Sequence, residues 1–297
     1  GWARAPLSVT EAQGLWAASE AKSRLHPSSS VPTFASSEKR ILEVRGLSVH
    51  YGDFEALHPV HLDFARDQVT AIMGPNGSGK SSLLWAMLGI GHRSSGSVRI
   101  FDGSERQSEE TAELTTEERL CLVTMVPQSA ADLLFLPTVA EELAESDKFA
   151  AVAAGTTSGW FAQLAGRVDP GQHPRDLSAG QQLALVLAMQ IAKGAGLLLL
   201  DEPTRGLDYQ AKRELAKQIH LLKQIGRTVI LASHDVEFVA LVADRVVQLD
   251  HGRVRADSPV TEALGAGSGM ATQIAEVVAL AGVLTVDKLL QLLEARA

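Results

Sequence analysis

Gly74-Pro75-Asn76-Gly77-Ser78-Gly79-Lys80-Ser81-Ser82 holds three glycines, a lysine and three serines in nine residues. It lies between two apolar runs, Val69–Met73 before it and Leu83–Leu88 after it. The first run has strand composition; the second predicts a helix from about Lys80 to Gly89. The spacing of Gly74, Gly79, Lys80 and Ser81 matches G-x-x-x-x-G-K-[ST]. Glycines let backbone N–H groups point inward as an anion-binding nest, and a helix start adds its positive dipole end. In such a loop Lys80 reaches β- and γ-phosphates and the Ser81 hydroxyl is a Mg²⁺ ligand. The bland alternative is a strand-to-helix turn with no ligand.

Outward from the loop, strand signals dominate from Ile41. Ile41–Val44, Leu47–Tyr51, Val60–Phe64 and Val69–Met73 carry alternating or continuous apolar residues. Val98–Phe101 and Leu122–Val126 read as further strands, and 138–195 reads mostly as helix, broken near 166–174. Leu197–Leu200 is a buried strand, followed by a helix over Tyr209–Ile225, a strand over Thr228–Ala232 and a helix from Asp235. Val246–Leu249 reads as the last strand, with Gly252 turning the chain. Strands alternating with helices imply an α/β core with a parallel sheet.

The strand Leu197–Leu200 ends in Asp201-Glu202. Asp201 is placed to hold Mg²⁺ and Glu202 to polarise an attacking water. Taken alone, the pair is a strand end with solvated charges; beside a phosphate loop it gains a chemical purpose.

The 297 residues suffice for one large or two ordinary domains. A net charge of −8 disfavours a general nucleic-acid binder. The single cysteine, Cys121, excludes an internal disulfide and a cysteine zinc cluster, and is expected as a small buried apolar residue. No apolar run reaches the roughly 18–20 residues that span a bilayer, so any membrane role goes through a partner. His50, His58 and His61 read as strand-surface residues rather than a metal site.

Leu177-Ser178-Ala179-Gly180-Gln181 resembles the LSGGQ signature of ATP-binding-cassette (ABC) ATPases, with Ala179 where glycine is usual. Other positions follow in the family's order. Tyr51 corresponds to the aromatic that stacks on adenine, and Gln128 to the glutamine that reports on γ-phosphate and Mg²⁺. Gly206-Leu207-Asp208 corresponds to the D-loop, and His234 to the switch histidine. The resemblance covers about 41–255. It implies a P-loop NTPase fold with a RecA-like parallel core, an antiparallel β subdomain and a helical subdomain at about 129–180. It implies ATP and Mg²⁺, with nucleotide held by Tyr51, residues 74–82, Ser178, Gly180, Gln181 and Asp208. Glu202, His234 and Gln128 would serve catalysis, and Ser81, Gln128 and Asp201 the metal. It also implies that Ser178 of one cassette completes the site on another, so a second cassette is part of the machinery.

Three stretches are similar to energy-coupling-factor importers: Gln128–Glu142, Asp201–Asp208 and the tail Leu284-Thr285-Val286-Asp287, echoed at Leu7–Thr10. This implies a membrane scaffold subunit and a substrate-binding membrane protein as partners. The cassette would sit on the cytoplasmic face of the membrane, and the cargo would be a vitamin, a precursor such as that of thiamine, or nickel or cobalt. The echo predicts that the chain is the second cassette of a fused pair, with 1–40 the tail of the first plus a Ser/Pro-rich linker at 28–37. The cassette would then run over 41–265 and a helical extension over 266–297. The partner would be the upstream cassette or a second copy. Two other classes stand beside this one: a cassette ATPase working on ribosomes or DNA, and a module that holds ATP without hydrolysing it. The absence of heptads and basic blocks disfavours the first; Asp201, Glu202 and His234 disfavour the second.

Overall fold

A computed structural model describes residues 8–19, 39–102 and 108–294. The expected Ser/Pro-rich linker and Leu7 of the echo lie outside these. After a short helix, α1 (Val9–Ala17), come three strands: β1 (Arg40–Tyr51), β2 (Phe54–Ala65) and β3 (Val69–Met73). Helix α2 (Lys80–Leu88) follows, then β4 (Ser95–Phe101), β5 (Ser108–Glu110), α3 (Thr116–Leu122) and β6 (Val123–Val126). Three helices follow, α4 (Val139–Phe149), α5 (Thr156–Ala165) and α6 (Ala179–Ala192), and lead to β7 (Leu197–Asp201). Then come α7 (Tyr209–Gln224), β8 (Thr228–Ser233), α8 (Val236–Val242), β9 (Arg245–Asp250) and β10 (Arg253–Pro259). The chain ends in α9 (Val260–Ala263), α10 (Gln273–Val278) and α11 (Val286–Glu294).

The strands form two sheets. One is antiparallel, in the order β2-β1-β4-β5. The other runs β10-β9-β3-β8-β7-β6 and is parallel except for the edge strand β10. Side-chain alternation along the central strands splits the core in two. Leu197, Leu199, Ile230, Ala232 and Ile72 face the antiparallel sheet, with Leu83, Leu84 and Met87 of α2 packed between the sheets. Leu198, Leu200, Leu231 and Met73 face α6, α7 and α8. Burial on both faces explains why these strands read as continuous apolar runs. The expected α/β fold is therefore present, with its parallel core and antiparallel sheet.

Several sequence expectations need correction. The two strands placed at 41–44 and 47–51 are one strand, β1, bent by register shifts between Val44 and Leu47 where Gly46 takes φ 59°. Leu122 belongs to a helix, α3, whose start is fixed by a Thr115–Glu118 capping box. Cys121 on that helix is exposed rather than buried, because α3 buries none of its residues. The helical stretch breaks at 150–155 as well as near 166–174: Ala151 has φ 53° and Gly155 φ 88°. Val246–Leu249 is not in the last strand. Gly252 turns the chain into β10, whose alternating exposure follows from its edge position.

The C-terminal segment docks on the core through Ala275 and Leu284. Arg213 of α7 and Asp287 of α11 form an ion pair at 3.0 Å. Trp16 of α1 joins Val278, Val283 and Leu289 in a small apolar cluster, and Gln13 Nε2 donates to the Glu276 carbonyl at 2.9 Å. Both echoed phrases open helices the same way. Ser8 Oγ accepts from the Glu11 N–H at 3.1 Å and Thr285 Oγ1 from the Lys288 N–H at 3.2 Å.

Candidate active site

The loop between β3 and α2 is shaped by close backbone approach. A Cβ on Gly74 would lie 2.0 Å from the Leu249 carbonyl oxygen, and one on Gly79, at φ 100°, 2.5 Å from that of Ala56. No residue but glycine fits at either place. The turn at Gly252 braces the loop, its N–H donating to the Ser78 carbonyl at 3.0 Å. Sequence reasoning gave Gly252 only a turning role; no local signal reveals that it packs beneath residue 78. Lys80 is 5% exposed. Its ammonium donates to the carbonyls of Gly74 (2.8 Å) and Pro75 (3.1 Å) and lies 3.5 Å from Glu202 Oε1. Ser78 Oγ is buried without a hydrogen-bond partner. Pro75, Asn76 and Gly77 face solvent, and Ser82 is half-buried on α2.

Strand register brings the other groups to this loop. Met73 pairs with Ser233, Asp201 with Ala232 and Val126 with Leu200. The phosphate loop, Asp201-Glu202, His234 and Gln128 thus leave the sheet at one carboxyl edge, where open α/β sheets place their ligands. Ser81 Oγ donates to Asp201 Oδ1 at 3.0 Å. Burial pushes the Asp201 carboxyl above its ordinary range; the Ser81 hydrogen bond opposes this, the Glu202 charge adds to it and Lys80 opposes it. One hydroxyl and one carboxylate form a partial set of hard oxygen ligands. Mg²⁺ takes such a set together with phosphate oxygens and water, so these residues fit that ion.

Glu202 is buried and sits at φ 47°, with its N–H donating to the Ala232 carbonyl at 3.0 Å. A non-glycine residue in this region is strained, and the surrounding contacts hold it there. Its Oε2 accepts from His234 Nδ1 at 2.9 Å, and its Oε1 has no hydrogen-bond partner. His234 is the exposed member, its side chain 63% accessible. A buried carboxylate held by a histidine, with its other oxygen free of hydrogen bonds and facing the lysine of the glycine-rich loop, can accept a proton from a water on a phosphate.

Other expected residues lie elsewhere. Tyr51 is 52% exposed at the tip of the β1–β2 hairpin, where it pairs with Phe54, its ring 5.8 Å from that of His92. Gln128 is exposed and, among the described residues, shares no hydrogen bond with Ser81 or Asp201. It lines a cleft of about 280 Å³ with Ala179, Gln182 and Arg205. His58 lies against Glu55 at 2.8 Å, and His61 accepts from the Gly46 N–H.

The residues at 178–181 are remote in contact from the phosphate loop. Ser178 caps α6 in a capping box with Gln181: its Oγ accepts from the Gln181 N–H at 3.3 Å while Gln181 Oε1 accepts from the Ser178 N–H at 3.0 Å. Ser178, Gly180 and Gln181 share a cleft of about 710 Å³ with Asp208 and Ala211. Asp208 caps α7. No hydrogen bond or ion pair among the described residues joins 178–181 to 74–82.

The sequence profile of the family described as "ABC transporter" matches residues 57–205. A Streptomyces coelicolor protein whose name places it among ABC transporter ATP-binding proteins is 41% identical over 237 residues, 80% of this chain and 41% of that protein. The nickel import ATP-binding protein NikO of Rhodobacter capsulatus is 32% identical over 75% of this chain and 90% of its own length. The energy-coupling factor transporter ATP-binding protein EcfA of Methanoculleus marisnigri is 33% identical over 75% of this chain and 80% of its own. The chain spans less than half the length of the Streptomyces relatives it matches. Among solved structures, cbiO1 of Clostridium perfringens, part of the ABC transporter complex cbiONQ, aligns with a TM-score of 0.65 at 28% identity, covering 76% of this chain and 90% of that one. The ATP-binding cassette MJ0796, dimeric with ADP and Pi, shares the fold, with a TM-score of 0.63 at 24% identity over 74% of this chain and 99% of that one. The chain belongs to the ABC transporter family, and these relatives are named as ATP-binding proteins of that family.

Proposed function

We propose that this cassette binds ATP with Mg²⁺ and hydrolyses it to power import of a small nutrient, a metal ion, vitamin or vitamin precursor, through a membrane partner. One observation carries the hydrolytic part. Lys80, the Ser81–Asp201 pair and the Glu202–His234 pair converge on one sheet edge around a glycine-shaped loop. Lys80 would meet the terminal phosphates, and residues 74–82 would grip them with backbone N–H groups. Ser81 and Asp201 would hold Mg²⁺, with Gln128 brought in from its cleft. The bound ion would neutralise charge on the phosphate oxygens. Glu202, oriented by His234, would take the proton of the attacking water.

The cleft at Ser178, Gly180, Gln181 and Asp208 supports a composite site, in which a second cassette presents these residues to the first cassette's nucleotide. Opening and closing of that pair would be the mechanical output. The import reading draws on relatives named for nickel import, cobalt import and energy coupling. Among the described residues no helix is long and apolar enough to cross a membrane; attachment to its cytoplasmic face would run through a scaffold subunit accompanied by a substrate-binding membrane protein. In this reading the chain would be one cassette of a fused pair, with α1 the tail of the preceding one. Phosphate release from Mg²⁺-ATP by the purified chain tests the hydrolytic reading: Lys80→Ala is expected to abolish nucleotide binding, and unchanged affinity would remove the loop from its role. Co-purification of a membrane scaffold, as against ribosomes or DNA, tests the transport reading.

A further inference from the structure

The first turn of α7 links the cleft at Ser178 to the residue after His234. Asp208, in the cleft with Ser178 and Gly180, caps this helix by accepting the Ala211 N–H at 2.8 Å. One turn on, the Lys212 N–H donates to the Asp208 carbonyl at 3.0 Å. The Lys212 ammonium leaves α7 and donates to Asp235 Oδ2 at 2.6 Å. Asp235 directly follows His234, and its carboxylate is fully committed. Oδ1 accepts the Phe238 N–H at 3.0 Å and so caps α8, while Oδ2 takes Lys212. Its own N–H donates to Ser233 Oγ at 3.1 Å. The backbone of His234 is therefore pinned between the buried end of β8 and a residue tied to α7. The pair is partly sheltered, with 32% of the Lys212 side chain and 17% of the Asp235 side chain exposed. A short charge-assisted bond in that setting is stronger than an open surface pair.

We propose that Lys212 is a positioning residue. Through Asp235 it passes displacement of the cleft-lining end of α7 to His234, and so aligns Glu202 when a second cassette fills that cleft. This rests on the hydrolytic reading above. A static surface ion pair would instead hold α7 and α8 together and leave turnover alone.

The test is steady-state hydrolysis of Mg²⁺-ATP by the full chain, with nucleotide affinity measured separately in the absence of turnover. Lys212→Met is expected to lower kcat about tenfold, the equivalent of one such interaction, while affinity for ATP stays at the wild-type value. Lys212→Arg restores kcat. Asp235→Asn keeps a good helix cap and loses the ion pair; it reproduces the loss, and the double variant is no worse than either single one. Wild-type turnover in Lys212→Met overturns the proposal, as do losses that multiply in the double variant. A parallel fall in kcat, affinity and thermal stability that Lys212→Arg does not restore assigns the pair to packing alone. If the wild-type chain itself releases no phosphate, it is the hydrolytic reading that falls, and this inference with it.

Discussion

His234 Nδ1 and Glu202 Oε2 lie 2.9 Å apart, and the other Glu202 oxygen is buried, 3.5 Å from the Lys80 ammonium, without a hydrogen bond. The carboxylate is thus oriented by one neighbour and left with an acceptor facing the phosphate loop. Glu202→Gln keeps size and polarity but removes the basic oxygen. Turnover is expected to fall by about 10²–10⁴-fold, the usual worth of a general base, with ATP affinity retained. Turnover at the wild-type rate would take Glu202 out of the role. His234→Ala should lower kcat as well, by freeing a strained residue from its orienting contact.

Asp201 predicts a trade between stability and activity. Burial holds its carboxyl above the ordinary range, so the folded chain binds that proton more tightly than the unfolded chain does. Where the folded pKa is the higher one, stability falls as pH rises through the window between the two values. At neutral pH the ionised group therefore weakens the nucleotide-free fold. Asp201→Asn keeps an acceptor for Ser81 Oγ and removes the charge. In the absence of nucleotide its Tm is expected to exceed the wild type's, by about 2–4 °C for each kcal/mol gained, while Mg²⁺-dependent hydrolysis is lost. A lower Tm would contradict the burial argument.

These two predictions rest on groups that the sequence displayed openly. The phosphate loop and the Asp201-Glu202 strand end were legible because local chemistry forces them: glycines at close backbone approaches, a lysine at a helix start, acids after an apolar strand. Ser178 was legible only through the resemblance of Leu177–Gln181 to a family signature; its capping box with Gln181 is a finding of the structure. What sequence left hidden depends on distance along the chain. Nothing near Lys212 announces Asp235, 23 residues on, because the contact exists only once α7 and α8 pack together. Cys121 misled because composition favours burial of a cysteine, whereas α3 is an exposed helix. β10 was missed because an edge strand with one half-open face carries no continuous apolar run.

Tyr51 offers its ring at the hairpin tip, half exposed and held on one side by His92. If it stacks on the base, its loss should depend on the base being there. Tyr51→Ala is expected to weaken ATP binding about tenfold, within the range for removal of an aromatic from a base. Affinity for inorganic tripolyphosphate should not move. Equal losses for both ligands would mean that the substitution disturbs the phosphate loop through β2 rather than the base.

Ser178 and Lys80 share no hydrogen bond within one chain, and a pair of variants at these two residues tests a composite site. Lys80→Ala destroys the loop but leaves a sound signature; Ser178→Glu does the reverse by placing a negative charge where a phosphate is expected. Neither variant alone can assemble a complete site from two copies of itself. A mixture can, because the loop of one then meets the signature of the other, as a two-fold pair of identical surfaces requires. ATP hydrolysis is expected to reappear on mixing, in proportion to the mixed pairs formed. A mixture as inactive as its components, under conditions where two wild-type chains pair and hydrolyse, would place both halves of the site in a single chain.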